Sequence, residues 1–135
     1  MPTLTISPES AFAILLKARE FDVKEDETDP DSGSNPTDDG ETDVLEFGPD
    51  DETLHELASA IRDLNDDEQR DLLALILVGR GDYSLEEWSQ ARRIAGEVER
   101  PRVPRYVAGI PLVSDYLEEG LSQFNLSLED YLEDH

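Results

Sequence analysis

The side chains best placed to do chemistry in this chain are carboxylates and arginines. Residues 24–52, KEDETDPDSGSNPTDDGETDVLEFGPDDE, hold thirteen of the thirty-four acidic residues against one basic residue, Lys24. Hard divalent cations take several oxygen ligands from a loop with glycine at its bend. A twelve-residue calcium loop counted from Asn35 puts Asp39 fifth, Gly40 sixth, Glu41 seventh, Asp43 ninth and Glu46 twelfth. The glycine and the terminal glutamate agree with the pattern. Asn35 at the first position, Pro36 after it, Thr37 at the third and Thr42 at the usual apolar position do not. Acidic loops produce such partial matches by chance, so a solvated loop is the simpler reading of Asp39, Glu41, Asp43 and Glu46. Glu52 and His55 share a helical face, as in half of a carboxylate-bridged two-metal site. The only other histidine, His135, is at the end of the sequence, and no second Glu-x-x-His occurs.

The arginines form the more specific pattern. Arg92, Arg93, Arg100, Arg102 and Arg105 fall within fourteen positions and face only Glu97 and Glu99. In a chain of net charge −23 such a cluster implies a counter-charge. That counter-charge is the chain's own acidic connection, or an external anion such as a phosphate ligand or an acidic protein surface; scattered solvated arginines are the third reading.

Other chemistries lack residues to carry them. There is no cysteine, so disulfides, thiolate metal sites and cysteine nucleophiles are excluded. No glycine-flanked serine elbow, Walker loop or dinucleotide glycine loop occurs. Carboxylate pairs are too numerous for any one spacing to inform. GRGD at 79–82 reads as a helix stop and turn. Tyr83, Trp88 and Tyr106 would be contact anchors if exposed, although aromatics at helical spacing more often belong to the core.

The acidic balance argues against broad binding to DNA, RNA or anionic lipid, each of which requires phosphate charge to be neutralised. It permits cationic partners. It also implies self-repulsion in the folded state, so the melting temperature should rise when salt is added to a low-salt buffer. A flat or falling salt series in differential scanning calorimetry would contradict this. MPTLTISPES has no basic leader, and the apolar run 11–16 is too short for a signal core. No stretch approaches a membrane span, so a cytoplasmic protein is expected.

Helices must position whatever the arginines do. Ser7 as N-cap and Pro8 in the first turn start a first helix to about Val23, with Phe12, Leu15, Leu16 and Phe21 as its core stripe. A second helix carries Leu54, Leu57, Ala58, Ile61 and Leu64 at three- and four-residue spacing. NDDE at 65–68 is a capping pattern ahead of the apolar run 72–78, and Gly79 and Gly81 supply the stop. That helix should be buried on nearly all sides and form the centre of the fold.

SLEE at 84–87 starts a fourth helix with Trp88, Ala91, Ile94, Ala95 and Val98 inward, ended by Pro101 and Pro104. A short turn of helix fits 103–110. Another helix from Pro111 carries Leu112, Val113, Tyr116 and Leu117, and SLED at 127–130 starts a last one. No strand-like alternation occurs. The class is all-α: a compact bundle of five to six helices in a single domain, 1–135, with an acidic loop at 24–50 between the first and second helices.

LTISPESAFAILLKAREFDVK, SNPTDDG, LNDDEQRDLLALILVGRGDYSLEEW and GIPLVSDYLEEGLSQF, in that order, resemble the small bacterial family catalogued as domain of unknown function 3775. The resemblance implies a bacterial, cytoplasmic setting and supplies no activity and no site residues. The residues themselves favour a non-catalytic protein–protein interaction module that needs no cofactor, working through its acidic connection or a helical face. The alternatives are a small-ligand or divalent-metal domain, with an arginine-lined pocket, and a nucleic-acid mimic whose carboxylates occupy a basic protein. The very apolar central helix also suits a subunit interface, which adds a homodimer to the expectations.

Overall fold

A computed structural model describes residues 2–27 and 52–134. All regular structure among the described residues is helical: α1 (Pro8–Glu27), α2 (Glu52–Arg62), α3 (Asp66–Arg80), α4 (Trp88–Ala95), α5 (Val103–Ala108), α6 (Val113–Gln123) and α7 (Leu128–Asp134). Short 3₁₀ turns at Leu85–Glu87 and Arg100–Arg102 lead into α4 and α5. The all-α expectation holds, with seven α-helices among the described residues rather than five or six.

Sequence signals set several of the helix starts. The Ser7 hydroxyl accepts from the Ser10 amide at 3.1 Å and begins α1. Asn65 and Glu68 close a reciprocal box, Glu68 N to Asn65 Oδ1 at 2.9 Å and Asn65 N to Glu68 Oε1 at 2.8 Å. Each such cap satisfies amides that have no partner in the first turn and contributes about 1 kcal/mol. The Ser84–Glu87 box starts a 3₁₀ turn first, and α4 begins only at Trp88. Two expected stops move. Gly79 lies inside α3, and Gly81 alone ends it, in the left-handed region at φ +93°. Helix α4 stops at Gly96, ahead of Pro101 and Pro104, and Ile94 is 38% exposed instead of inward.

Helix α3 is the centre. Residues 72–78 are all buried, and every neighbouring helix contributes to one continuous core around them. An apolar run of that length with no solvated face must be covered on all sides: α6 and α4 pack directly against α3, and side chains of α1 and α2 belong to the same core. The crossing with α6 brings backbone against backbone. A side chain at Gly79 would have its Cβ 1.7 Å from the Tyr116 carbonyl oxygen, and one at Gly120 would have its Cβ 2.2 Å from that of Leu75. The two backbones therefore meet directly, a contact that only glycine at both positions allows.

Peripheral contacts fix the remaining elements. Trp88 packs edge-on against Phe124, centroids 4.9 Å apart, joining α4 to the end of α6. Phe12 stacks on Tyr131 at 5.0 Å and draws α7 onto α1. Arg19 of α1 reaches α6, with Nη2 at 3.0 Å from Asp115 and 2.9 Å from Glu118. Partial burial of Arg19 opposes its charge, but the bond to Glu118 and the attraction of both carboxylates outweigh that, and the guanidinium pKa is raised.

Candidate anion-binding groove

One charged residue sits on the buried stripe of α3. Asp71 is 1% exposed and shares a helical face with Leu75 and Val78. Its carboxylate accepts from three donors. The Thr5 and Ile6 amides reach Oδ2, the second at 3.0 Å, and Arg92 Nε reaches Oδ1 at 2.8 Å. A buried carboxylate without partners would be strongly unfavourable, and this one is compensated by an arginine and two backbone amides. Asp71 thereby holds two separate pieces of chain: the extended N-terminal segment before α1, and the exposed side of α4.

Between those pieces lies a groove of about 510 Å³. The N-terminal segment gives one wall through Pro2, Thr3 and Thr5, and α4 gives the other through Trp88, Ser89, Arg92 and Arg93. Arg70, next to Asp71 on α3, completes the lining. No aspartate or glutamate among the described residues lines it. Arg92 is oriented by Asp71 and by Asp67, whose carboxylate is 3.6 Å from Nη2. Among the described residues Arg70 and Arg93 enter no ion pair within 4.0 Å. Two cationic side chains thus line the groove with no acidic partner among the described residues, in a chain of net charge −23.

The structure divides the five-arginine cluster by role. Arg92 and Arg93 enter the groove. Arg100 instead staples the turn before α5 to the start of α3, with Nη2 donating to the Leu64 carbonyl at 2.9 Å and Nη1 3.8 Å from Asp66. Arg102 pairs locally with Glu99 at 3.9 Å, both largely exposed, a contact of little energetic weight. Arg105 lies half-buried on α5, outside the groove. The candidate cation ligands Asp39, Glu41, Asp43 and Glu46 lie outside the described residues, as does most of the acidic connection proposed as the arginines' counter-charge. Among the described residues no group of three or more metal-ligating side chains converges. His55, on the exposed face of α2, enters an interaction of its own.

A second, smaller cleft of about 290 Å³ lies on the other side of Arg70. Its rim mixes Arg70 and Arg100 with Asp66 and Glu99, so its charges are balanced. The Arg70 guanidinium approaches the α4 stop so closely that a Cβ at Gly96 would be 3.0 Å from Cζ. Gln69, 3% exposed, borders this cleft; its Nε2 donates to the Ile61 carbonyl at 2.9 Å, and its Oε1 has no hydrogen-bond partner among the described residues.

Arg70, Asp71 and the three hydroxyl residues Thr3, Thr5 and Ser89 were not singled out by spacing. Asp71 had a legible signal, a charge on an otherwise apolar helical stripe. The threonines had none, because nothing local tells that an extended segment ends against α4.

These features define an all-α protein whose central helix carries a buried carboxylate and, beside it, an arginine groove. The chain belongs to the family described as Protein of unknown function (DUF3775), whose model matches residues 54–126, more than half of the sequence. The match covers α2 to α6 and therefore Arg70, Asp71, Ser89, Arg92 and Arg93, whereas Pro2, Thr3 and Thr5 lie outside it. No curated protein and no solved structure matches the chain. No helix among the described residues is long and apolar enough to cross a membrane.

Proposed function

We propose that this chain is a non-catalytic protein-interaction module whose contact surface is the groove of Arg70, Arg92 and Arg93, and that the groove takes an anionic group of a partner protein. The observation that carries this reading is the sign of the groove. A concave surface whose described lining has three arginines, three hydroxyl residues and no carboxylate occurs in a chain whose acidic residues outnumber its basic ones thirty-four to eleven. Uncompensated guanidiniums in a cleft are where an incoming anion gains most, since they form charge-assisted hydrogen bonds without first giving up a partner.

The distribution of roles among the arginines makes the proposal separable from folding. Arg92 holds Asp71, so its loss disturbs the fold; Arg70 and Arg93 enter no ion pair among the described residues. The double variant Arg70→Gln/Arg93→Gln should stay within about 0.5 kcal/mol of wild-type stability. It should bind a fluorescein-labelled pool of peptides rich in aspartate, glutamate and phosphoserine at least about tenfold more weakly in an anisotropy titration, since each lost charge-assisted bond contributes about 1.5–3 kcal/mol. No binding of the pool by wild type, or equal binding by the variant, would contradict the proposal.

A further inference from the structure

We infer that the anionic group is a phosphate monoester on a side chain of the partner, that is, a phosphorylated residue. This inference rests on the interaction reading above and goes beyond it by naming the recognised group. The first ground is charge. Arg92 is already compensated by Asp71 and Asp67, which among the described residues leaves the charges of Arg70 and Arg93. A phosphate monoester brings about −1.5 to −2 at neutral pH, matching those two charges, whereas one carboxylate would leave a guanidinium unmatched.

Donor arrangement is the second ground. The residues able to donate come from three pieces of chain: Thr3 and Thr5 line the groove from the N-terminal segment, Arg70 from α3, and Ser89 and Arg93 from α4. A tetrahedral anion with three terminal oxygens can use donors arriving from several directions. A planar carboxylate is satisfied by one guanidinium fork.

Long-range electrostatics supply the third. The chain as a whole is strongly negative, so an extended run of aspartates and glutamates entering the groove would be repelled over the ~10 Å within which charges act at moderate salt. A phosphorylated side chain concentrates the same charge at hydrogen-bond distance from the arginines and exposes little of it to the remaining surface. The volume of about 510 Å³ also exceeds what a bare phosphate fills, and Pro2 and the Trp88 edge give the carrying residue an apolar wall.

The test is an array of degenerate synthetic peptides with a central phosphoserine, phosphothreonine, phosphotyrosine, glutamate or serine, probed with the full chain. It is accompanied by calorimetric titrations with inorganic phosphate and O-phospho-L-serine. At least one phosphorylated set should be retained at least about tenfold more tightly than its glutamate and serine counterparts. That retention should be lost in Arg70→Gln/Arg93→Gln and kept in Arg102→Gln. Equal retention of glutamate and phosphorylated sets, still lost in the double variant, overturns the phosphate inference and leaves the groove as an acidic-peptide site. Phosphopeptide retention unchanged in the double variant overturns both. Inorganic phosphate or O-phospho-L-serine binding as tightly as the best peptide would make this a small-molecule phosphate site and overturn the protein partner. Absence of retention of any phosphorylated set overturns the inference outright.

Discussion

Gly120→Ala is expected to destabilise the protein by about 3 kcal/mol or more, although alanine is the better helix former. The sign is what makes the experiment informative. In the interior of an exposed helix the same change would stabilise by about 1 kcal/mol, because glycine loses more backbone freedom on folding. Here the new methyl would have to occupy space 2.2 Å from the Leu75 carbonyl oxygen, and the atom in the way is backbone, which cannot rotate aside. Helices α3 and α6 would have to separate, and α3 is the element around which the core is built. Overpacking of a core typically costs about 1–3 kcal/mol, and a clash of backbone with Cβ belongs at or beyond the upper end. Gly79→Ala, with its Cβ 1.7 Å from the Tyr116 carbonyl oxygen, should behave alike. Urea denaturation of both variants checks this, and a raised midpoint for either would mean that α3 and α6 do not meet as described.

Asp71→Ala is the second large effect, expected to lower stability by about 2–4 kcal/mol. The substitution removes the acceptor of three donors at once: the Thr5 and Ile6 amides and the Arg92 guanidinium. Breaking a fully buried ion pair costs about 3–5 kcal/mol, but Arg92 is 28% exposed and can turn partly to water, which lowers the figure. Asp71→Asn retains one acceptor oxygen and should lie between the variant and wild type. The local signature is sharper than the global one. Amide exchange at Thr5 and Ile6 should accelerate far more than exchange in residues 72–78, because the N-terminal segment loses its tether while the core persists. Unchanged protection at Thr5 and Ile6 would show that Asp71 does not hold that segment. Peptide binding should fall as well, since the groove loses one wall and the orientation of Arg92.

Much of this architecture was legible in the residues, for physical reasons that differ by element. Capping boxes are local, and so Asn65–Glu68 and Ser84–Glu87 could be read from four residues each. Burial of residues 72–78 followed from an apolar run with no solvated face. Helix ends were read less well where two signals competed. Gly79 resembled a stop, but its lack of a side chain serves the α6 crossing, and the true stop at Gly81 differs only in its backbone conformation. Ile94 shares the apolar spacing of α4, yet the helix buries Trp88, Ala91 and Ala95 and leaves Ile94 at the edge of that face, 38% exposed.

The groove was half legible. Clustering of arginines in sequence flagged Arg92 and Arg93, but the same cluster includes Arg100, which caps a carbonyl of the α2–α3 turn, and Arg102, which stays at the surface. What distinguishes them is whether a carboxylate or carbonyl from another element is within reach, and that is tertiary information. Arg70 is isolated in sequence and joins the groove only because α3 places it beside α4 and the N-terminal segment.

The most direct measurement is an arginine Nε–Hε correlation spectrum of the full chain, assigned by single Arg→Gln variants and titrated with the degenerate phosphoserine peptide pool. Saturable shifts concentrated at Arg70, Arg92 and Arg93, with Arg102 and Arg105 unmoved, are the expected result. Shifts centred on Arg102 and Arg105, or a spectrum that does not respond while the pool is in excess, would contradict the assignment of the groove as the contact surface.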